Sequence, residues 1–550
     1  MGRTPLPGEL RKGWVMLRRR GPAQFRFWLI ALLIGTGAGC ASMVFRMGID
    51  WLQSTLYRTE DVLHLHSHAG TLPWYMVLLI PVVGGLVVGI ILNRFTDDGR
   101  VRSVADVIEG AALKDGRVEI RAGLASAVAS WITLSSGGSS GREGPVVHMA
   151  GVLATWVSDR LRYDGVTARD LLGCAVAAAV SASFNAPIAG SLFAMEVILR
   201  HFAISAYAPI VIASVAGTVV NRLAFGDVTE FTLPEASVLE FYGELPAYLL
   251  LGLISGLVAV ALMRSIFWAE TVGDRVQKLL HMPPVLRPAV AGLLLGLLAI
   301  RFPHVIGVGY ETTSAALTGQ LLLHDAIVFA VIKAIAVSIT IGGRMGGGVF
   351  SPSLMMGALT GLVFGIVATA IFPEVSGSET LYALAGMGAV AAAVLGAPIS
   401  TTLIVFELTG DWQTGLALMV SVSLSTALAS RLVDRSFFLT QLARRRIHLA
   451  RGPAYLLALL RAGAVMRPLG SARGADEESC RALMAEGVLI DASATLEAAM
   501  PLFESRDLAF VPVVAGSGGD APELIGALYH IDALKAYNRV LAATAKEEHS

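Results

Sequence analysis

Charge is what this chain has least of. Only 15% of its 550 residues are Asp, Glu, Lys or Arg, against 55% that are hydrophobic, and its mean hydropathy is +0.66. An ordinary soluble protein carries about 25% charged residues, so this composition excludes a conventional core wrapped in a wet surface. Cysteine is scarce as well. Cys40, Cys174 and Cys480 stand far apart, which excludes a disulfide framework or a cysteine metal site. The 42 basic residues balance 42 acidic ones, so net charge gives no reason to expect nucleic acid. His64, His66 and His68 lack accompanying carboxylates or thiols at ligand spacing and read as a polar loop. The string Gly137-Gly138-Ser139-Ser140-Gly141 has the form of a nucleophile elbow, but no strand precedes it and an apolar helix follows. We therefore expect no enzyme, no cofactor and no metal.

What is present is a series of long apolar runs. Phe27 to Met47, Trp74 to Leu92, Tyr248 to Met263, Ala326 to Ile341 and Leu416 to Ala429 carry few charges or none. A bilayer span needs about 20 such residues. Shorter runs broken by Gly or Pro recur between them, and broken backbone at membrane depth survives only against protein or a watery cavity. The expectation is an all-α polytopic membrane protein in contact with lipid. Arg3, Arg11, Lys12, Arg18, Arg19, Arg20 and Arg26 precede the first run, and Arg444, Arg445, Arg446 and Arg451 follow the last. By the positive-inside rule both flanks are cytoplasmic. The first run has no cleavage site and reads as a retained span.

The chain also matches itself. Gly141-Arg142-Glu143-Gly144-Pro145 falls on Gly348-Val349-Phe350-Ser351-Pro352 at an offset of 207, and Asn185-Ala186-Pro187-Ile188 on Gly396-Ala397-Pro398-Ile399 at 211. Glu196 and Glu407 each follow nine residues after the proline. Residues 26–230 and 240–435 therefore read as a duplicated unit within a membrane domain of 26–445, flanked by a cytoplasmic segment, 1–25, and a tail, 446–550. Repeats of this kind place a binding site between broken helices. Each glycine-rich turn precedes a helix, whose first amides lack intrahelical partners and attract anions without a full charge that would trap them. Glu143 is an isolated carboxylate in such a segment, where charge is costly and usually functional; the alternative is a buried structural pair with Arg142. His148, one turn beyond, reads as a packed helix residue.

These residues resemble a known family. Gly141-Arg142-Glu143-Gly144-Pro145 looks like the GREGP motif of CLC chloride channels and anion/proton exchangers, and Gly347-Gly348-Val349-Phe350-Ser351-Pro352 looks like their GGxFxP motif. Gly307-Val308-Gly309-Tyr310 and Phe406-Glu407-Leu408-Thr409-Gly410 match in order and place. The resemblance implies the CLC fold of two inverted repeats with re-entrant helices, a homodimer, and an anion pathway in each subunit. It makes Glu143 the gate, occupying an anion site when ionised and leaving it when protonated, so that opening depends on pH. It places anion contacts at Gly141, Arg142, Gly144, Val349 and Phe350, for chloride or another small anion.

Three departures bear on mechanism. The family's GSGIP motif is eroded to Val101-Arg102-Ser103-Val104-Ala105. A gapless count puts Arg102 where the family's anion-binding serine stands, and a one-residue shift restores Ser103. Arg102 then binds the anion, plugs the pathway or snorkels into water. Val197 stands where exchangers carry an internal proton-relaying glutamate, which argues for an uncoupled channel. Phe438 replaces a tyrosine whose hydroxyl reaches the central anion. Proton-coupled exchange of chloride or fluoride, and a non-conducting sensor blocked by Arg102, are the alternatives, and a bacterial plasma membrane is the expected location.

The tail from about residue 446 is more charged. Ile490-Asp491, Phe510 to Val514 and Leu524 to Leu528, with helices between and after, resemble one unit of a CBS domain, a small α/β fold. Val465 to Glu486 reads as a degraded first unit. Tyr529 stands where nucleotide-binding units carry Ser or Thr before the aspartate, here Asp532, so a structural or dimer-contact role is expected.

Overall fold

The structure is a computed structural model. It describes residues 8–548 apart from 60, 203, 227–230, 232–243, 374–375, 377, 411, 434–435, 448, 450–456, 458–459, 472–473, 507 and 516–522. The glycine-rich stretch Gly516 to Asp520 and most of the link between the repeats thus lie outside the described residues. The chain divides into two compact bodies, one running essentially to Arg445 and one from Arg446.

The larger body is helical. Its first half comprises α1 (Gly8–Tyr57), α2 (Leu65–Ala69), α3 (Trp74–Phe95), α4 (Val104–Leu113), α5 (Ile120–Ser135), α6 (Glu143–Leu161), α7 (Gly165–Phe184), α8 (Pro187–Phe193) and α9 (Ile204–Phe225). Its second half comprises α10 (Leu245–Leu279), α11 (Leu286–Arg301), α12 (Tyr310–Leu317), α13 (Leu323–Gly342), α14 (Phe350–Ile371), α15 (Glu379–Leu395), α16 (Pro398–Thr409) and α17 (Trp412–Leu432), with α18 (Phe437–Arg444) after it. Among the described residues, 8 helices are long and apolar enough to cross a membrane. Their outward faces carry Leu29, Leu33, Val83, Ile90, Leu223, Leu257 and Val331, all exposed, as lipid-facing residues are.

The self-match becomes a symmetry in space. A Cβ added to Gly85 in α3 would lie 2.2 Å from the Pro288 carbonyl oxygen of α11, and one on Gly292 in α11 would lie 2.1 Å from that of Pro81 in α3. Gly89 meets Val285 at 2.0 Å, and Gly296 meets Leu78 at 2.8 Å. All four pairs of equivalents are 207 residues apart. Each contact thus recurs with the partners exchanged, the mark of a two-fold relation. Moving up α3 from Gly85 to Gly89 moves the contact down α11 from Pro288 to Val285, so the helices are antiparallel. A two-fold axis relating antiparallel spans lies in the plane of the membrane, and the repeats are inverted.

The second motif is explained by helix boundaries. Asn185 ends α7 and Gly396 ends α15, both left-handed (φ 56° and 69°), a backbone region that glycine and asparagine tolerate best. An alanine follows outside the helical region, as a residue before proline prefers. Pro187 and Pro398 then open α8 and α16, at a position where the missing N–H costs nothing. At about 1.5 Å per residue, neither short helix crosses a bilayer. Their exposed first amides are satisfied reciprocally. Glu407 accepts from the N–H groups of Ile188 (3.0 Å) and Ala189 (2.8 Å), and Glu196 from those of Ile399 (3.0 Å) and Ser400 (2.8 Å). Glu196 sits in a π-helical turn, Ala194–Leu199, that continues α8.

The smaller body holds a four-stranded sheet in the order β1-β4-β3-β2, from β1 (Arg467–Pro468), β2 (Ile490–Asp491), β3 (Phe510–Ala515) and β4 (Glu523–Tyr529). β2 runs parallel to β3, and β4 is antiparallel to both β3 and β1. Helix Leu496–Arg506 joins β2 to β3 and helix His530–Glu548 follows β4, the strand–helix–strand–strand–helix order expected of one CBS-like unit. Leu496, Phe503, Val511, Val513 and Leu528 form its core. Asp532 is engaged by Arg467 Nε at 2.6 Å, and the guanidinium lies 4.0 Å from the centre of the Tyr529 ring.

Candidate functional site

The two glycine-rich turns meet at the centre of the larger body. The Gly141 N–H donates to the Gly348 carbonyl and the Gly348 N–H to that of Gly141, each at 2.7 Å, as in a hydrogen-bonded antiparallel pair. From this two-residue ladder α6 and α14 depart, so their N-termini start side by side. Neither N-cap residue, Arg142 or Val349, caps its helix with its own side chain, so the first-turn amides are left to other partners. α4 opens close by, with the Ser103 N–H accepted by Asp106 Oδ2 at 2.7 Å, half of a capping box. These three helix starts border one cavity of about 70 Å³, room for several waters and therefore for a halide stripped of some of them.

Glu143 is the first residue of α6 and lies in this cavity, 3% exposed. Its Oε1 accepts a hydrogen bond from Ser351 Oγ in the first turn of α14, at 2.5 Å, while Oε2 has no partner among the described residues. The carboxylate curls over Gly141, where a Cβ would come within 2.6 Å of Oε2, so a larger residue there would push the carboxylate aside. Its described hydrogen bond comes from Ser351 and not from the neighbouring Arg142. The Arg142 guanidinium reaches the Ser183 carbonyl (3.3 Å) and lies 5.4 Å from the centre of the Tyr310 ring.

Of the candidate residues, Ser103, Gly144, Val349, Phe350 and Phe438 line the cavity with Glu143. Phe350 packs against Phe184 at 4.6 Å between ring centroids, and Phe438 against Phe437 at 5.9 Å. Gly141 takes part through its ladder with Gly348. Two of the candidate residues lie outside this lining. Arg142 lines a different cavity of about 390 Å³, together with Arg46, Asp50, His66 and Glu311; consecutive residues of one turn thus face two polar spaces. Arg102 lines neither. Its guanidinium is held by Asp98 (Nη1, 3.0 Å) and Glu119 (Nε, 3.0 Å), and its N–H donates to Ser126 Oγ at 2.8 Å. Ser103, one residue on, lines the cavity where Arg102 does not. Val197 is buried at 6% exposure in the π-helical turn, outside the cavity.

The sequence reading missed Ser351, although it lies inside a quoted motif, 207 residues from Gly144; a hydroxyl replacing glycine between repeats was the available signal. It also missed the polar rim formed by Arg100, Glu270, Arg344, Gln441 and Arg445. These residues come from four separated segments, and only Arg445, in the basic run after the last span, had drawn notice.

The comparisons with known proteins agree with this geometry. The family profile described as Voltage gated chloride channel matches residues 84–430. The chain is 31% identical over 421 residues to a ClcB-like chloride channel protein of Ralstonia nicotianae, covering 76% of this chain and 96% of that one. It is 28% identical to the voltage-gated ClC-type chloride channel ClcB of Escherichia coli, covering 75% and 98%. Among solved structures, a slow cyanobacterial Cl−/H+ antiporter superposes with a TM-score of 0.68 at 20% identity, covering 76% of this chain and 98% of that chain. A CLC-type fluoride/proton antiporter gives 0.63 at 20% identity, covering 75% and 97%. These two likenesses are in fold. The chain belongs to the CLC family of voltage-gated chloride channels.

Proposed function

We propose that this CLC protein conducts chloride through the cavity bordered by α4, α6 and α14, with Glu143 as its gate and without proton coupling. One observation carries the reading: a buried carboxylate stands at the junction of three helix starts, one oxygen on Ser351 and the other without a described partner. That junction is where an anion would find backbone amides. A carboxylate resting there excludes the anion by occupying its place, and leaves when protonation removes its charge. Ser103, Gly144, Val349 and Phe350 are the contacts we assign to the anion. Phe438 narrows the path without offering a hydroxyl.

Uncoupled conduction is favoured because the position of the internal proton glutamate is Val197, and the neighbouring Glu196 is committed to capping α16. Proton-coupled exchange is the alternative. The blocked-sensor reading is not favoured, because Arg102 pairs with Asp98 and Glu119. We further assign a homodimer in a bacterial plasma membrane, with both termini cytoplasmic. The CBS-like tail is assigned a structural role, because Arg467 occupies both Tyr529 and Asp532.

The test is simultaneous recording of chloride and proton movement from proteoliposomes under a chloride gradient. Wild type should pass chloride with no accompanying protons, and Glu143→Gln should pass chloride with its pH dependence removed. Stoichiometric proton movement that Glu143→Gln abolishes would establish exchange and overturn the channel assignment.

A further inference from the structure

The cavity that holds Glu143 contains a second carboxylate. Glu270, in the C-terminal part of α10, lines the same space. Its surroundings differ from those of Glu143. Glu143 lies at the buried end, whereas the side chains at the other end are partly wet: Arg100 is 31% exposed, Glu270 21%, and Arg344 and Arg445 18% each. The cavity therefore runs from a wet rim to a dry end, with one carboxylate at each.

Three arginines crowd the rim, and their partners are unequal. Arg445 Nη1 is hydrogen-bonded to Asp106 Oδ1 at 2.7 Å, and Arg344 Nη2 to Asp274 Oδ1 at 3.1 Å. Both partners are carboxylates that do not line the cavity. Arg100 and Glu270 both line it, and they approach only to 3.6 Å between Nη1 and Oε1, beyond hydrogen-bond length. The frame around them is rigid. Arg287, 3% exposed, donates to the Glu270 carbonyl (3.1 Å), to the Gly342 carbonyl (2.6 Å) and to Asp274. It thereby locks α10 to the end of α13 through the backbone, and among the described residues the Glu270 side chain is approached by Arg100 alone.

A firmly bonded arginine keeps its counterion when an anion arrives, whereas a loosely held one exchanges it. We infer that Glu270 is the rim counterpart of Glu143: its carboxylate neutralises Arg100 until a small anion entering the cavity displaces it, so this pair sets anion affinity at the rim. The inference rests on the anion-pathway reading above. It gives the rim a means of drawing anions in through three cations without the tight capture that would stop conduction.

The test is the chloride dependence of flux in proteoliposomes for wild type, Glu270→Gln, Arg100→Gln and the double variant. Glu270→Gln frees Arg100 for the anion and should lower the half-saturating chloride concentration about two- to five-fold, the range of a partly exposed ion pair. Arg100→Gln should raise it, and in that background Glu270→Gln should have no further effect. An unchanged chloride dependence in Glu270→Gln, or an equal shift with and without Arg100, overturns the inference while wild-type flux and the Glu143→Gln response leave the pathway reading standing. Absence of chloride flux in wild type overturns both.

Discussion

Ser351→Ala tests the proposed gate more directly than a change to Glu143 itself. The substitution removes one oxygen from a buried residue, 3% exposed, and preserves the first turn of α14. What it deletes is the hydrogen bond from Ser351 Oγ to Glu143 Oε1. A hydrogen bond to a charged acceptor is worth about 1.5–3 kcal/mol, and about 1.4 kcal/mol is a factor of ten in an equilibrium. The ratio of seated to departed carboxylate should therefore fall at least about ten-fold. Where departure limits conduction, chloride flux at neutral pH should rise by a comparable factor, and the pH at which flux is half-maximal should move upward, because a less well held carboxylate protonates more readily. The assay is chloride efflux from proteoliposomes across pH 4 to about 8, repeated in the Glu143→Gln background. There the serine has no charged partner, and the substitution should be nearly silent. A fall in flux of equal size in both backgrounds would refute the reasoning and show that the hydroxyl serves the anion rather than the gate.

Two further outcomes follow from the fold. Gly85→Ala and Gly292→Ala should each destabilise the detergent-solubilised protein, by similar amounts, in thermal unfolding. Helix propensity alone would favour alanine by about 1 kcal/mol, but the added Cβ would lie 2.2 Å or 2.1 Å from a backbone oxygen, and overpacking of about 1–3 kcal/mol wins; a raised melting temperature in either would contradict the packing. His64, in the loop before α2, should titrate above the usual histidine range because the hydrogen-bonded Asp61 carboxylate holds its proton, while Asp61 titrates below its own range. The pair's contribution is lost as pH rises through the elevated His64 value or falls through the depressed Asp61 value. NMR of labelled histidine should show the His64 transition moving down in Asp61→Asn, and an unmoved transition would dismiss the pair.

The sequence made the repeats legible because membrane helices that pack backbone to backbone cannot change their small residues freely. Gly85 and Gly292, or Asn185 and Gly396, occupy equivalent positions, so the duplication survives as a readable offset. The same argument explains why Glu143, Val349 and Phe350 could be assigned to one site: they belong to turns that the two-fold relation brings together. Arg102 was harder. Counting without a gap set it on the serine's position and a one-residue shift set Ser103 there, and nothing in a linear sequence says that Asp98 and Glu119, from opposite sides of it, will hold its guanidinium. The rim was harder still, since Arg100, Glu270, Arg344 and Arg445 share no local pattern.

Function sits where the symmetry fails. Glu196 and Glu407 are equivalent and do the same work, each capping the short helix of the other repeat. Val197 and Leu408, one residue later, are likewise equivalent, apolar and buried at 6% and 8% exposure, so neither repeat supplies a titratable group there. At the ladder the repeats diverge. Arg142-Glu143-Gly144 in one is Val349-Phe350-Ser351 in the other, and the fold sets each difference against its counterpart. The carboxylate of Glu143 meets the hydroxyl of Ser351, which replaces the glycine next to Glu143 in the first repeat. A symmetric pair of glutamates here would place two like charges in one small cavity, where both cannot readily remain ionised. A symmetric pair of apolar residues would leave two uncapped helix starts with nothing to close them. One carboxylate between two helix N-termini avoids both outcomes, which is a physical reason for the proposed gate to stand where a duplicated fold has lost its equivalence.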